Sequence, residues 1–590
     1  MPQIQIHFSL KTVLILLALL LTIAAQAIAV NYLFKKGPEN VDSTDQDTLR
    51  VTAQKIYFEI DPENSLFRSS QVISLVNSEV SRREMIFLIY PGLVIDRLDF
   101  KKDLGAPAEI EDWYYAAPVQ YPRLSGTVKL NQVRVRFAAD IEPRQALTMA
   151  LDYHLTPEGF QTGLGTNLYE LFVSPQTQHA VGFDSGAYPV IESNGASPLE
   201  ITIRHPDTER CGIPGEWVSE ESAQGFTTVT YQVNQIYDPA FSCAVYHKEQ
   251  KSADGASVEF YLTPDQTYSE KMSDIALQYF KLYRQLFGDP GTSTFRFVFM
   301  PMNVEGGAGG AENKGNTVYL GRTDSFDKFD QDEDRQRAFK ILVGHEEFHN
   351  WNRFHGTWSG SLIDWWSEGG ANFMSSWAAE ILWGKEAGRA VRAQYLTDLD
   401  KAMGYLFPGT LESPNTFSER NTWKGEWTLA YDYGALVWEQ LRQLMGDDSL
   451  AAGLREFIQQ PVQQGSTIEN LIRCLQLHTQ ADVAAFLGQW TSRNARIDLT
   501  IKQVTVRPGG DPFETTAVIN VAADADYEFF TSLGYRSDAS SDWTLIPVHI
   551  TRLGESIVKF TSPQEPTTFQ IDPEVRVPQI NIRNDYWPIK

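Results

Sequence analysis

The sequence predicts an α+β protein of several domains, rich in β structure at both ends and mainly helical in the middle. At 590 residues the chain is too long to fold around a single hydrophobic core. Apolar residues recur with a period of two over Val51–Tyr231 and again from Ile497, whereas helical spacing dominates Tyr268–Trp490. The expected domains are an N-terminal β domain at 51–255, a helical domain at 256–495 and a C-terminal β sandwich at 496–590.

An uncharged apolar segment lies near the N-terminus. Thr12–Phe34 is rich in Leu, Ile, Val and Ala and is long enough to span a bilayer as a helix. Ala25-Gln26-Ala27 also resembles a signal-peptidase site. We therefore expect residues 1–36 to be either a membrane anchor or a cleaved signal peptide, with the rest outside the cytoplasm, in a periplasmic, extracellular or lumenal space. The polar residues 37–50 indicate a linker.

Short strand-like runs separated by Pro, Gly, Asn and Ser follow the linker. They are Ile56–Ile60, Gln71–Val76, Glu84–Tyr90, Thr127–Phe137, Leu147–Leu155, Leu199–Ile203 and Phe226–Tyr231. A β domain of roughly two hundred residues lies within the usual size range of a β sandwich. Because no chemical motif occurs in it, we expect this domain to pack against the rest and to form the rim of a substrate site.

The charge balance and the cysteine count exclude two classes of protein. Fifty Lys and Arg against 75 Asp and Glu give a formal net charge of −25, so nucleic acid, which requires a basic surface, is excluded as a partner. Three cysteines are too few for a disulfide-built scaffold. Cys211 and Cys243 are close enough in sequence to pair in an oxidising compartment, and Cys474 is expected to be a buried thiol.

The middle of the chain reads as alternating strands and helices. The expected elements are a helix at Tyr268–Phe287, strands at Phe295–Met300 and Thr317–Leu320, a helix at Arg335–Asn352 whose N-terminus is capped from the acidic run Asp327–Asp334, and helices at Ile468–His478 and Asp482–Trp490. The expected C-terminal strands are Ile497–Ile501, Thr516–Val521, Trp543–Ile550 and Thr568–Ile571.

The clearest chemical signal is His345-Glu346-Glu347-Phe348-His349. On a helix, positions i and i+4 lie on one face, so both imidazoles can reach one metal ion while Glu346 lies beside it as a base. Three protein ligands and one open position define a catalytic zinc site. Glu347 points off the metal face, and we expect it at the surface or behind the ligands.

Two residues can supply the third ligand. Glu368 follows His349 by nineteen positions, which lets a second helix return and present its carboxylate, with Asp364 as the cap of that helix. His355 follows by six positions, where metzincins place their third histidine after a turn that normally contains Gly. Asn352 occupies that turn position here and tolerates the left-handed conformation.

The motif His345–His349 with Trp351, followed by Glu368-Gly369, resembles the gluzincin aminopeptidases of the aminopeptidase N and leukotriene hydrolase family. The run at 349–352 is also similar to the glycyl aminopeptidases. The resemblance favours Glu368 over His355. It implies a saddle-shaped N-terminal β domain, a thermolysin-like catalytic domain, an immunoglobulin-like C-terminal module and one Zn²⁺ per chain.

A glycine-rich loop precedes the motif at Gly306–Asn313. Glycines let a peptide backbone approach closely, and Glu312 at the end of the loop can pair with a free ammonium group. Gly309–Asn313 resembles the exopeptidase signature Gly-x-Met-Glu-Asn, with Ala311 in place of Met. The resemblance implies that Glu312 anchors the substrate amine and that Gly309, Gly310 and Ala311 line the same subsite.

A further segment of the same family follows at Ala430–Val437. Tyr431, three residues before Gly434, resembles the catalytic tyrosine that stabilises the oxyanion. The Lys that usually precedes the glycine is replaced by Tyr433, which we hold as the reserve candidate. Two buried core tyrosines are the alternative.

The expected function is therefore that of a zinc metallopeptidase that removes N-terminal amino acids from peptides. Its zinc-bound water would be activated by Glu346 as general base and acid. The alternatives are a metzincin-like zinc endopeptidase that uses His355, and a non-catalytic peptide-binding protein on a peptidase fold. The sequence leaves the preferred N-terminal residue and an epoxide hydrolase activity open.

Overall fold

The computed structural model describes residues 49–588 except 103–104, 124–125, 169, 183–184, 192–196, 237–238, 303–310, 322–327, 353–361, 404–410, 412–427, 461–466, 494–496, 509–511 and 539–541. The expected anchor or signal segment at 1–36 lies outside these ranges. Within them, no helix combines the length and the apolar character needed to cross a bilayer.

The N-terminal module consists of fifteen strands among its described residues. They are β1 (Arg50–Asp61), β2 (Leu66–Val76), β3 (Arg82–Ile89), β4 (Leu93–Lys102), β5 (Ile110–Arg123), β6 (Gly126–Ile141), β7 (Ala146–Leu155), β8 (Phe172–Val173), β9 (Thr177–Val181), β10 (Val190–Ile191), β11 (Ser197–Pro206), β12 (Arg210–Gly212), β13 (Glu216–Ala223), β14 (Phe226–Ile236) and β15 (Ala240–Ala244). They form sheets of order β13-β14-β11-β1-β2-β7-β4, β10-β3-β6-β5 and β12-β15-β9-β8. All seven strand-like runs predicted from the sequence lie on these strands.

Side chains along these strands point alternately to the two faces of a sheet, so every second side chain is buried in the core. In β7 the buried positions are Leu147, Met149, Leu151, Tyr153 and Leu155. The neighbouring strands β12 and β15 bring Cys211 opposite Cys243, and the two form a disulfide. The pairing that the sequence leaves open is therefore present, and Cys474 is a buried free thiol as predicted.

The central module, called the catalytic module after its role predicted from the sequence, begins with a mixed sheet of order β16-β17-β18-β20-β19. Its elements are β16 (His247–Ala253), β17 (Ala256–Leu262), helix α1 (Glu270–Phe287), β18 (Thr294–Met300), β19 (Ala311–Lys314) and β20 (Thr317–Gly321). The boundary expected at residue 256 falls inside the β16–β17 hairpin. Asp254 and Gly255 make its turn with φ of 54° and 73°, the geometry favoured by two-residue hairpins, so the sheet starts at His247.

Helices complete this module. They are α2 (Glu333–Asn352), α3 (Gly370–Trp383), α4 (Lys385–Met403), α5 (Gly434–Met445), α6 (Asp447–Ile458), α7 (Ile468–Gln476) and α8 (Val483–Thr491), with π-helical turns at Trp365–Gly369 before α3 and Thr428–Tyr433 before α5. Asp332 caps α2, as its Oδ1 accepts from the backbone N–H groups of Asp334 and Arg335 at 3.0 and 3.1 Å. The expected cap by Asp364 is wrong, because Asp364 itself has helical φ and ψ of −69° and −34° and makes no capping bond.

The C-terminal module is a pair of small sheets, as the sequence predicts. Its strands are β21 (Asp498–Pro508), β22 (Phe513–Ala522), β23 (Phe529–Arg536), β24 (Thr544–Ile550), β25 (Gly554–Ser562), β26 (Thr568–Ile571) and β27 (Tyr586–Trp587), in the orders β21-β22-β25 and β24-β23-β26-β27. Trp490 of α8 packs on Tyr527 at a ring-centroid distance of 5.4 Å. One buried apolar cluster therefore runs from the catalytic module into this one.

A buried ion-pair network joins the helices to the C-terminal module. Glu380 of α3 contacts Arg392 at 2.8 Å and Arg442 at 3.0 Å, and Arg392 also donates to the carbonyl of Glu574 at 3.1 Å. Burial raises the pKa of Glu380, but the two guanidinium groups outweigh it and hold the pKa at about 2. Its charged form thus stabilises the fold above the ordinary pKa of a glutamate.

We expect Glu380→Gln to lower the free energy of unfolding at pH 7 by about 3 kcal/mol, because it removes the carboxylate that buried Arg392 contacts and one of the three that buried Arg442 contacts. Since the folded-state pKa is depressed, the difference from the wild type should shrink as the pH falls from 4.5 towards 2. Urea denaturation followed by tryptophan fluorescence measures it. Glu386→Gln, which alters the exposed pair with Arg389, is the control and should behave as wild type; equal effects would contradict the prediction.

Candidate metal centre and active site

Helix α2 carries both histidines of the motif on one buried face. His345 and His349 lie one turn apart and are only 7% and 3% exposed. Their rings are perpendicular, with centroids 4.7 Å apart. The helix therefore presents two imidazoles to one point, as the spacing predicts.

Glu368 reaches the same point from the π-helical turn Trp365–Gly369. Trp366 Nε1 donates to the carbonyl of Asn352 at 2.6 Å, and Asn352 Nδ2 donates to the carbonyls of Trp366 and Ser367 at 3.1 and 2.6 Å. These bonds tie the turn to the end of α2. π-helical turns are rare and concentrate at functional sites, where they redirect a side chain.

Three donor atoms converge at this place. Glu368 Oε2 lies 3.2 Å from His345 Nε2 and 3.5 Å from His349 Nε2, and the two Nε2 atoms are 3.1 Å apart. In the described part of the chain, His345, His349 and Glu368 are the His, Cys, Asp or Glu residues that form a group of three with ligand atoms all within 4.8 Å of one another.

Hydrogen bonds behind the rings fix which nitrogen faces the centre. His345 Nδ1 lies 2.8 Å from Asn372 Oδ1, and His349 Nδ1 lies 3.0 Å from Asn352 Oδ1. Each Asn presents its oxygen because its amide nitrogen is engaged elsewhere, that of Asn372 with Asp432 Oδ1 at 3.3 Å. Because an amide oxygen can only accept a hydrogen bond, each histidine must carry a proton on Nδ1. In the neutral ring the lone pair then lies on Nε2.

Two ring nitrogens and a carboxylate oxygen this close require a proton or a metal ion between them. A pair of neutral imidazoles and one carboxylate is the donor set of a catalytic zinc site, and ring nitrogens held from behind are its usual support. The residues present therefore fit a divalent metal ion.

The electrostatics of the centre agree with this fit. Burial raises the pKa of Glu368, but His349 and His345 outweigh it, and the pKa lies well below its usual range. Burial lowers the pKa of His345, yet the hydrogen bond to Glu368 and the charges of Glu346 and Glu368 raise it overall. The negative charges of Glu346 and Glu368 therefore stabilise a positive charge at this point.

Tyr431 lies over His345. Their rings are parallel, at an angle of 6° and a centroid distance of 5.5 Å. The turn that carries Tyr431 can come this close because glycines meet there: a Cβ on Gly369 would lie 2.6 Å from the carbonyl oxygen of Ala430 and 3.2 Å from Gly434. Tyr433, the reserve candidate, is buried and its hydroxyl donates to the carbonyl of Trp490 at 3.3 Å.

Strand β19 runs beside Glu346, the residue that the sequence predicts as general base. Asn313 Nδ2 donates to the carbonyl of Glu346 at 2.7 Å, which brings the strand that contains Glu312 against the centre of α2. The side chains of Ala311 and Glu312, and the whole of Gly309, Gly310 and His355, lie outside the described residues, so their predicted roles stay predictions.

Residues 274–490 match the profile of the peptidase family M1 domain. The chain contains a peptidase family M1 domain. The resemblance drawn from the sequence is thereby confirmed, since this is the gluzincin family of aminopeptidase N and leukotriene A4 hydrolase. The family consists of zinc-dependent peptide hydrolases, and the M1 domain here encloses His345, His349 and Glu368. A comparison with curated proteins gave no match.

One residue within the His345–His349 motif, Glu347, is buried more deeply than one of the two positions predicted for it. The sequence predicts Glu347 at the surface or behind the ligands; it is fully buried, and neither carboxylate oxygen has a hydrogen-bond partner among the described residues. Burial raises the pKa of this carboxyl well above its usual range, so it is held neutral. The surface alternative is wrong because the face of α2 opposite the metal packs against Tyr279 and Tyr283 of α1 rather than against solvent.

Sequence reasoning missed the two asparagines that orient the ligands. The sequence pattern assigns Asn352 only a position in a turn, and it assigns Asn372 no role. Their spacing carried a signal: Asn352 follows His349 by three positions and Asn372 follows Glu368 by four, so each lies one helical turn beyond a ligand. An amide at that distance can support a metal ligand.

We expect Asn352→Ala to weaken metal binding by about 10–100-fold, because it frees the ring of His349 and loosens the Glu368 turn. Competition with a metal chelator measures the affinity, and circular dichroism checks the fold. Asn350→Ala is the matched control, since Asn350 lies on the same helix but, within the described ranges, its amide donates to the carbonyl of Glu347 and touches no histidine of the site. Equal affinities of the two variants would contradict this role.

Proposed function

We propose that the protein is a zinc aminopeptidase that removes single amino acids from peptide N-termini. The observation that carries the proposal is the convergence of His345 Nε2, His349 Nε2 and Glu368 Oε2 at separations of 3.1 to 3.5 Å, the donor set and spacing of a catalytic zinc site. The M1 domain supports a peptide hydrolase of this kind.

His345, His349 and Glu368 would hold one zinc ion per chain. When bound, zinc lowers the pKa of water to near 7 and polarises the scissile carbonyl. Asn352 and Asn372 keep both imidazoles in the tautomer that this chemistry needs.

Glu346 is the proposed general base and acid. It is 6% exposed, and its charge acts on His345, so it lies at the centre without being freely solvated. It would take a proton from the attacking water and return it to the leaving amine. Proton transfer of this kind is worth about two to four powers of ten in rate.

Tyr431 is the proposed oxyanion donor. Its ring is held parallel to that of His345, which limits the positions its hydroxyl can take. A hydroxyl directed at the developing negative oxygen is worth roughly 3 kcal/mol. Tyr433 is unsuited to this role because its hydroxyl is engaged with Trp490.

Glu312 is the proposed anchor of the substrate amine, with Gly309, Gly310 and Ala311 along the substrate backbone. The support is the pairing of β19 with β20 and the bond from Asn313 to Glu346, which set this strand beside the base. An anchored ammonium group limits cleavage to the first peptide bond.

We place the enzyme outside the cytoplasm, anchored in a membrane or secreted, with peptides as its partners and no nucleic acid. The apolar run Thr12–Phe34 and the Cys211–Cys243 disulfide support an oxidising compartment.

Substituting the two candidate third ligands separately tests the metal site. We expect Glu368→Gln to lose zinc, by more than the roughly 10–100-fold typical of a residue that only orients a ligand, whereas His355→Gln should keep one zinc per chain. Mass spectrometry of the metal after dialysis measures the stoichiometry. Zinc retained by Glu368→Gln and lost by His355→Gln would favour the metzincin-like endopeptidase.

A panel of aminoacyl fluorogenic substrates, free and N-acetylated, tests the reaction. We expect zinc-loaded protein to cleave free substrates at least about 30-fold better in kcat/KM, since a buried charge pair is worth roughly 2 kcal/mol or more. A chelator should abolish cleavage, and Glu346→Gln should lower kcat by about two to four powers of ten. Equal cleavage of acetylated substrates would reject an aminopeptidase, and zinc binding without any cleavage would favour the non-catalytic alternative.

A further inference from the structure

The π-helical turn Thr428–Tyr433 is joined by a tryptophan to the turn that carries Glu368. Trp365 Nε1 donates to the carbonyl of Gly434, directly after the first of these turns, at 3.2 Å. The ring of Trp365 also stacks on that of Trp438 of α5, with centroids 4.4 Å apart, and both rings are buried. This contact fixes the backbone at the C-terminal end of the turn.

Asp432, inside the same turn, connects it to the back of a metal ligand. Its Oδ1 accepts from Asn372 Nδ2 at 3.3 Å, and Asn372 Oδ1 lies 2.8 Å from His345 Nδ1. The backbone of Asn372 is itself held, because the hydroxyl of Tyr395 donates to its carbonyl at 2.9 Å. A hydrogen-bonded chain therefore runs from Asp432 through the amide of Asn372 to the ring of His345.

The chain closes on itself through Tyr431. This tyrosine directly precedes Asp432, and its ring lies parallel to that of His345 at a centroid distance of 5.5 Å. Asn372 thus holds the Nδ1 edge of His345 while Tyr431 covers its face, and Asp432 is bonded to both of these neighbours. A change at Asp432 would release the amide of Asn372 and free the turn under Tyr431 together. Networks of this kind are worth more than the separate deletion of their bonds suggests.

The contact does not depend on the charge of Asp432. Burial raises the pKa of this carboxyl well above its usual range, the charge of Asp398 adds to the rise, and that of His345 opposes it. A protonated carboxyl group still keeps acceptor capacity. Asn372 therefore requires an acceptor oxygen at position 432 rather than a negative charge.

We propose that Asp432 is a positioning residue of the active site. By accepting from Asn372 it orients the ring of His345 from behind, and it holds Tyr431 over that ring. The inference rests on the proposed function, because the catalytic role of Tyr431 belongs to that function. The alternative is that Asp432 only stabilises the fold.

Zinc affinity tests the link to His345 without any use of activity. We expect Asp432→Ala to bind zinc about tenfold more weakly, at the lower end of the range for residues that orient a ligand, because the amide of Asn372 loses its acceptor. Asp432→Asn keeps an acceptor oxygen and should recover most of that affinity. Competition with a chelator measures the binding in the full chain, and circular dichroism with urea denaturation checks the fold.

Asp398→Asn is the matched control. Asp398 is a carboxylate close enough to Asp432 to act on its pKa, but its own oxygens accept from Gln394 at 2.7 Å and from Lys401 at 2.9 Å. The control should bind zinc and turn over substrate as the wild type does.

A double-mutant cycle on the zinc-saturated protein tests the link to Tyr431. Tyr431→Phe removes the hydroxyl and should lower kcat about a hundredfold with little change in KM, because an oxyanion donor acts in the transition state. Asp432→Ala should lower kcat about tenfold in the wild type, since a misplaced donor loses much of its effect. In Tyr431→Phe it should lower kcat no further, because the group that it positions is then absent.

The inference would be overturned by wild-type zinc affinity in Asp432→Ala, by equal impairment of Asp432→Asn and Asp432→Ala, or by an equal loss of kcat in both backgrounds of the cycle. Failure of the proposed function gives a different pattern. Unchanged kcat in Tyr431→Phe, or no release of N-terminal amino acids by the wild type, would reject the role of Tyr431. The zinc affinities would then still decide whether Asp432 orients His345.

Discussion

The packing of the catalytic module depends on three electron-pair donors that meet at one point. His345 Nε2, His349 Nε2 and Glu368 Oε2 all direct electron pairs at one point, at separations of 3.1 to 3.5 Å. The surrounding structure resists their separation: two asparagine oxygens hold the rings, and a tryptophan N–H and an asparagine amide join the Glu368 turn to α2. Such preorganisation means that a metal ion would find its ligands already assembled.

The sequence predicted the parts of the site that depend on local geometry. Spacing along one helix is enough to bring His345 and His349 together, and the family motif then selected Glu368. What it did not predict depends on contacts between distant segments. Neither the π-helical turns nor the close approach of Gly369 to Gly434 has a periodic signature, and the burial of Glu347 depends on where α1 packs. The roles of Asn352 and Asn372 required knowledge of which amide end was engaged elsewhere.

The same distinction applies to the fold. Strands with one apolar face, such as β7, were found because alternation reports burial. Strand β13, whose residues are nearly all exposed, and β16, with the sequence HKEQKSA, lack that alternation and were not predicted. Strand β16 therefore begins at His247, nine residues before the predicted boundary at 256, and the Asp254-Gly255 turn is a usable signal for its hairpin. These polar strands lie where the N-terminal module meets the catalytic sheet, so the region hardest to predict is the one between these two modules.

The shared core of the catalytic and C-terminal modules limits how the protein can be divided. Arg389 and Arg392 donate to the carbonyls of Pro573 and Glu574, and Gln440 to those of Phe530 and Arg576. A truncation after residue 495 would leave these donors, of which Arg392 and Gln440 are buried, without acceptors and would expose Trp490 to water. The sandwich is thus an integral wall of the enzyme, and recombinant production of an isolated catalytic fragment should yield insoluble material.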